Sequence, residues 1–355
     1  MIKNEKKFTV LIGILCILFF SSSQAQEPYR SGTTGGNFLE IGYGSAGIAM
    51  GDAYVSMVQD ISSIYWNPAG LGYMQGSEFQ IMHQPWLADI GMSLIGLGYV
   101  QPQWGTFALG FIYIGYGEEE VTSMLMQEGT GEKFDGLDFC VSFSYGRKLA
   151  QWFSFGATGK YISSRIWHEN ASATAFDLGA MVNTSFLSWT GRQEDGLTIG
   201  MSISNYGTKL QYDGIDLKRP IDEAPEEAGN FEFVPARYET QEWELPLIFR
   251  IGVSAHPILT SKHRFTVAID ALHPNNNSEY LNLGGEYSLT IPGFGAFIMR
   301  TGYKGLYMVD SQYGWTVGFG LLFNYLNNRA FKVDYAYRDL GMLGKLHAYT
   351  LSLTF

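Results

Sequence analysis

The sequence predicts an all-β protein: a transmembrane antiparallel β-barrel of about fourteen strands, with an N-terminal hatch segment plugging the lumen. Three observations lead there. The chain opens on an export signal, its later segments alternate apolar with small or polar residues at a period of two, and the connections between those segments alternate in length.

Lys3, Lys6 and Lys7 form a positive start, Phe8 to Phe20 is an apolar run, and Ser23-Gln24-Ala25 fits a small-x-small cleavage site. The run is shorter than the roughly 20 apolar residues of a membrane span, so residues 1–25 read as a cleaved signal peptide. Cys16 lacks the small residues that a lipid-attachment site wants just before it. Cleavage leaves Cys140 as the only cysteine, so the mature chain has no pair to bridge.

Composition narrows the class further. The chain has 43 Gly, 15% aromatic and 16% charged residues, against about 25% charged in ordinary soluble domains. A net charge of −11 argues against a nucleic-acid partner, because phosphate binding needs Lys and Arg. No later stretch is apolar for long enough to be a membrane helix, so an exported, aromatic, weakly charged chain points to strands with one face in lipid.

Periodicity gives the strands. Phe153, Phe155, Ala157 and Tyr161 alternate with Ser154, Gly156, Thr158 and Lys160, and successive strand side chains point to opposite faces. Segments of this kind run roughly 78–86, 89–101, 105–118, 136–149, 153–168, 174–187, 196–207, 244–258, 263–273, 279–290, 295–305, 314–326, 330–339 and 345–355. An even number suits a closed bacterial barrel, as do short periplasmic turns and longer outer loops. Pro102 to Trp104, Ala150 to Trp152, Ser261-Lys262, Ile291 to Gly293 and Asn327-Asn328 are tight, whereas 119–135, 208–243, 273–278 and 306–313 are longer. The short stretch after the first segment and the eight or so residues from Ser188 fit this alternation less well, but a soluble sandwich would not sort loop lengths by parity. Tyr349, Leu351, Leu353 and the terminal Phe355 share one face of the last segment. That ending resembles the signal read by the outer-membrane barrel insertion machinery.

Residues 26–77 form the expected hatch and 78–355 the barrel. Ala46, Ile48, Ala49 and Ala53 suit short helical turns, and Asp60 suits the start of a second turn that Pro68 and Gly70 stop. Gly156, Gly179, Gly200, Gly252 and Gly318 on the inner strand faces leave room for such a segment.

Gly44-Ser-Ala-Gly-Ile-Ala-Met-Gly-Asp-Ala-Tyr54 and Tyr65-Trp-Asn-Pro-Ala-Gly-Leu71 resemble the hatch of the PorV/PorQ-like outer-membrane barrels, relatives of the FadL-type channels. Asn67, Pro68, Ala69 and Gly70 are the shared hatch motif. Ile166 to Glu169 with Phe176 to Gly179, Asp270 to Pro274 and Lys332 to Tyr337 also look like strands of that family. The resemblance implies a fourteen-stranded barrel with an internal hatch in the outer membrane of a Gram-negative bacterium. It implies two functions. PorV-type members serve type IX secretion, binding exported cargo or a translocon, whereas FadL-type members pass hydrophobic small molecules.

Catalytic and cofactor signals are weak. Gly42-Tyr-Gly-Ser-Ala-Gly47 matches a dinucleotide fingerprint without the strand–helix context that gives it meaning. His83, His168, His256, His263, His273 and His347 include no i, i+4 pair. No catalytic, cofactor or metal residue is assigned. Lys160, Asp177, Arg250, Asp270, Arg300, Lys332, Asp334 and Arg338 fall on lumen-facing parity. Pairing with one another and with the hatch is expected of them, because unpaired charge in a confined space is costly. The loop 208–243, with no evident secondary structure and many Asp and Glu, and the segment 119–135, with Met124, Leu125 and Met126, are the expected outer surfaces for a partner or ligand.

Overall fold

A backbone crossing hydrocarbon has no water to bond, so strands span a membrane only in a closed ring. The computed structural model describes residues 30, 32–86, 90–226, 234–325 and 329–355. The signal peptide assigned to residues 1–25, the tight turn at Asn327-Asn328, and Glu227 and Glu232 of the long loop lie outside them.

Fourteen strands form the ring: β1 Glu78–Pro85, β2 Gly91–Gln101, β3 Gly105–Glu120, β4 Lys133–Ala150, β5 Phe153–Ile166, β6 Glu169–Asn183, β7 Thr198–Gly207, β8 Ile248–Leu259, β9 His263–Pro274, β10 Tyr280–Ile291, β11 Gly295–Leu306, β12 Trp315–Tyr325, β13 Arg329–Asp339 and β14 Lys345–Thr354. Each pairs antiparallel with its neighbour in the chain. The ring closes where β1 meets β14, from Glu78 opposite Thr354 to His83 opposite Tyr349. Along β5, Phe155 and Tyr161 face outward while Ser154, Thr158 and Lys160 are buried inside, so the period-two pattern separates a lipid face from a lumen face.

Tight turns at 102–104, 151–152, 260–262 and 292–294 lie at the end where β1 begins. There the Phe355 N–H donates to the Ser77 carbonyl at 2.8 Å. This is the periplasmic end, with most of the longer connections opposite, although the 184–197 connection between β6 and β7 also lies here. Three connections depart from expectation. β3 and β4 continue to Glu120 and Lys133, which shortens their loop to 121–132. β5 and β6 are joined by Trp167-His168 alone, with Trp167 at φ 55°. The loop after β7 is partly ordered: Asp213–Gly214 pairs with β6, and Lys218–Ile221 pairs with Val234–Arg237.

The hatch threads the lumen from the outer rim to the periplasmic end. At the rim, Thr34 forms a parallel bridge with Glu244. Two short helices follow, α1 Ser45–Ala49 and α2 Ser63–Trp66, then a 3-10 turn over Pro68–Tyr73. Trp66 is the central filler: its Nε1 donates to the Tyr43 carbonyl at 2.7 Å, and its ring meets Tyr65 edge-on at 4.8 Å. The inner-face glycines sit where the hatch touches the wall. A methyl at Gly156 would stand 2.3 Å from the Pro68 carbonyl, one at Gly200 2.4 Å from the Val55 oxygen, and one at Gly318 2.5 Å from the Ala49 side chain. Gly179 and Gly252 crowd Asn67 and Val55 in the same way.

This packing makes a paired prediction on one strand. Gly156→Ala is expected to lower unfolding free energy by about 1–3 kcal/mol and to expose the hatch to protease. Gly159→Ala, where the nearest neighbour of the new methyl is a Phe176 ring carbon at 3.9 Å, should shift stability by under about 0.5 kcal/mol. Thermal melts of the two variants in detergent check this, and equal melts would contradict it.

Candidate functional site

The hatch motif is built around Asn67, which is wholly buried. Its Oδ1 accepts from the Ala69 N–H at 3.1 Å and caps the 3-10 turn. Its Nδ2 donates to the Val55 carbonyl at 2.9 Å and to the Ala180 carbonyl of β6 at 3.2 Å. One side chain therefore ties the turn to the hatch and to the wall. Pro68 suits the first position of the turn because it has no N–H to leave unpaired. The Ala69 carbonyl accepts from Ser154 Oγ at 2.6 Å, and a side chain at Gly70 would meet the Val58 oxygen at 2.4 Å.

The lumen charges singled out from the sequence, with their ion partners, sort into four groups. Lys160 and Asp177 pair at 2.6 Å. Asn205 joins them, accepting from Lys160 Nζ at 2.8 Å and donating its N–H to Asp177 at 2.8 Å. The register between β6 and β7 shifts at this point, so the trio fills a break in the ladder. Arg300 pairs with Asp334 at 2.6 Å and Glu286 at 2.7 Å, and Lys332 bridges Asp334 at 3.0 Å to hatch Asp60 at 3.4 Å. Arg338 pairs with hatch Asp52, which also receives Lys304 at 2.7 Å. Asp270 takes no cation: its Oδ2 accepts the N–H groups of Tyr54 and Val55 at 2.8 and 2.9 Å. Arg250 donates to Ser204 at 2.8 Å and lies 5.4 Å from the Tyr65 ring centre. For these two, pairing with an opposite charge gives way to contacts with hatch backbone, a wall hydroxyl and a hatch ring.

The sequence reading omitted Asp52, Asp60, Lys304 and Glu286. Lys304 and Glu286 share inner parity with Arg300 and Asn282, so alternation could have found them. Asp52 and Asp60 lie in an aperiodic segment that offers no such signal. Asp52 has φ 64°, a left-handed conformation that Asp tolerates better than most residues.

At the outer end of the lumen, a cavity of about 330 Å3 lies between the start of the hatch and the wall. Phe38, Trp86, Ile90 and Ile114 give it an apolar side, and Glu40 and Lys304 a charged one. Among the described residues, no three His, Cys, Asp or Glu side chains gather as metal ligands.

Removing the Asp52 charge tests the tie between hatch and wall. Asp52→Asn leaves two buried cations short of their shared carboxylate, and a loss of about 3–5 kcal/mol is expected. Asp135→Asn, which breaks a half-exposed pair with Arg165, should cost under about 1 kcal/mol. Denaturant titrations of both variants check the contrast, and a mild Asp52→Asn would contradict the buried tie.

The family model described as Type IX secretion system protein PorV matches residues 23–247. No curated protein matches the sequence significantly. Among solved structures, the toluene transporter TodX of Pseudomonas putida is 12% identical, covering 88% of this chain and 96% of its own, with a TM-score of 0.53. The toluene transporter TbuX of Ralstonia pickettii is 10% identical, covering 88% and 97%, with a TM-score of 0.54. The CymD monoaromatic hydrocarbon channel is 11% identical, covering 89% and 98%, with a TM-score of 0.53. At such identities the likeness establishes a shared fold. The family match spans well over half of the chain, and the protein therefore belongs to the PorV family of outer-membrane β-barrels.

Proposed function

We propose that this barrel is a non-enzymatic accessory of type IX protein secretion, holding exported cargo or a translocon through its outer loops while its lumen stays plugged. The observation that carries the reading is the continuity of the hatch-to-wall ties. They begin at Thr34 with Glu244 and pass through Ser45, whose N–H donates to Thr350 at 2.9 Å. They continue through Asp52 with Arg338 and Lys304, Asp60 with Lys332, and Asn67 with Ala180. Opening a path would break buried ion pairs, and leaving one charge of such a pair alone costs about 3–5 kcal/mol.

A second reading has its own observation. The cavity of about 330 Å3 under the outer rim has an apolar side and falls within the size range of small-molecule sites. It suits a passive channel for hydrophobic compounds, and TodX and TbuX are described as toluene transporters.

Two experiments separate the readings. Replacing residues 209–242 by a short Gly-Ser linker is expected to leave a folded barrel and to strand exported proteins in the periplasm; normal export would overturn the accessory reading. Ser45 Oγ and Thr350 Oγ1 lie 2.7 Å apart, so Ser45→Cys with Thr350→Cys places two thiols within bridging reach. With that bridge oxidised, export is expected to continue unchanged. Uptake of a monoaromatic hydrocarbon that stops on oxidation and returns on reduction would favour the channel.

A further inference from the structure

The outer rim carries apolar side chains that the folded chain does not cover. Met124 and Leu125 are each 96% exposed at the tip of the β3–β4 connection, and Met342 is 89% exposed on the β13–β14 connection. Neither tip is an unstructured tail. The Met126 N–H donates to the Ser123 carbonyl at 3.2 Å, the Ser123 N–H returns a bond to the Met126 carbonyl at 3.1 Å, and the Thr130 N–H closes on Val121 at 2.8 Å. On the other connection, the Leu340 N–H donates to the Gly344 carbonyl at 2.9 Å, and Leu340 itself is buried as an anchor. Two hydrogen-bonded turns thus hold methionine and leucine side chains out into solvent. Each forgoes the free energy that burial of an apolar side chain would supply.

The ring closure puts these tips on one side of the mouth. Because β14 pairs with β1, the β13–β14, β1–β2 and β3–β4 connections follow one another along the rim. Trp86 and Ile90 stand at the two ends of the middle connection. From the first connection to the third is four strand spacings, or about 20 Å at roughly 4.8 Å each. The acidic loop 208–247 rises from a different part of the rim, between β7 and β8.

The charges around the β3–β4 tip narrow the occupant. Glu118, Glu119, Glu120, Glu128 and Glu132 are exposed on its stem, with Lys133 as the cation among them. Anionic lipid headgroups would be repelled, and so would a second copy of a chain with net charge −11. Position also argues against lipid. Gly91 at the end of β2 pairs with Gly115, so β3 runs on from Tyr116 to Glu120, about 16 Å of strand at roughly 3.3 Å per residue. The tip therefore stands clear of the wall it grows from.

We propose that Met124, Leu125, Met126, Met342 and Leu343 form a docking crescent for a protein partner whose contact face is apolar at its centre and rimmed by lysine and arginine. Methionine side chains re-pack easily against different apolar surfaces, which suits a partner class rather than one fixed shape. The glutamates set the orientation and speed the encounter. The crescent rests on the accessory reading and deepens it, because it moves the contact from the acidic loop to a specified side of the rim.

The test is photo-cross-linking on intact cells, with a benzophenone amino acid replacing Leu125 in one strain and Met342 in another. Both positions are expected to capture the same exported or membrane protein, at a site rich in apolar residues with Lys and Arg beside them. Glu119→Lys with Glu120→Lys should cut the yield about tenfold, the equivalent of about 1.4 kcal/mol. Cross-links only to lipid, cross-links only to another copy of this chain, or an unchanged yield after the charge reversal would each overturn the crescent. Export separates this inference from its parent reading. If Met124→Ser, Leu125→Ser, Met126→Ser and Met342→Ser together leave export intact while loss of 209–242 abolishes it, the crescent fails and the accessory reading stands. Intact export in both strains removes the accessory reading itself.

Discussion

Fourteen strands enclose more space than their own side chains fill. A ring of about eight strands packs its interior with inward side chains, and wider ones hold water, a ligand or a plug. Here the plug is the chain's own N-terminal segment, and its fit dictates much of the sequence. The wall is lined with Gly and Ser where the hatch backbone lies against it, as at Gly156 under Pro68 and Gly200 under Val55. The hatch contributes the bulk that the wall lacks, with Trp66, Tyr43, Ile48 and Met50 all buried. Neither part reads as a stable unit alone. The wall would leave a wet polar tube, and the hatch is too short in regular structure to fold by itself.

The buried ions follow from the same fit. An ion pair in a dry interior is a weak source of stability, because desolvation offsets most of the attraction. Its stronger effect is on register. Asp52 receives Arg338 from β13 and Lys304 from β11, and Asp60 receives Lys332 from β13. A hatch displaced along the axis by one turn would leave these charges facing Gly and Ser. The pairs thus select one seat for a segment whose helices, α1 and α2, are too short to specify one themselves.

Much of the fold was legible because a lipid face and a lumen face impose a strict period of two. Strand ends were legible only where lipid begins and ends. On β6, Ala171, Ala173 and Ala175 point inward while Asn170, Ser172 and Thr174 point outward. Above the bilayer the outer face meets water, so the apolar contrast reverses and Glu169 to Ala173 looks like a loop. The same reversal hid the extension of β3 through Glu119 and Glu120. Within the lumen, parity could also have found Lys304 and Glu286, which were missed. The hatch residues Asp52 and Asp60 had no parity to betray them. The Asn67 motif was visible as a pattern, but not its bond to Ala180, which depends on how two distant segments meet.

The lumen and the rim together bear on which of two functions this wall serves. A route for an apolar solute needs an exit as well as an entrance, and the cavity under the rim supplies at most an entrance. Breaks in a strand ladder are natural exits, since backbone groups there are already unpaired. The break between β6 and β7 at Asp177 and Asn205 is instead occupied by the Lys160–Asp177 pair, with Asn205 held to the Pro246 carbonyl at 2.9 Å. A buried ion pair is a poor surface for a hydrocarbon to cross, because its charges have no water to turn to when the solute arrives. That ladder break is sealed chemically as well as sterically, while the most exposed apolar side chains among the described residues, Met124, Leu125 and Met342, lie outside, on the turns of the rim. That distribution favours a molecule whose contacts are made at its mouth.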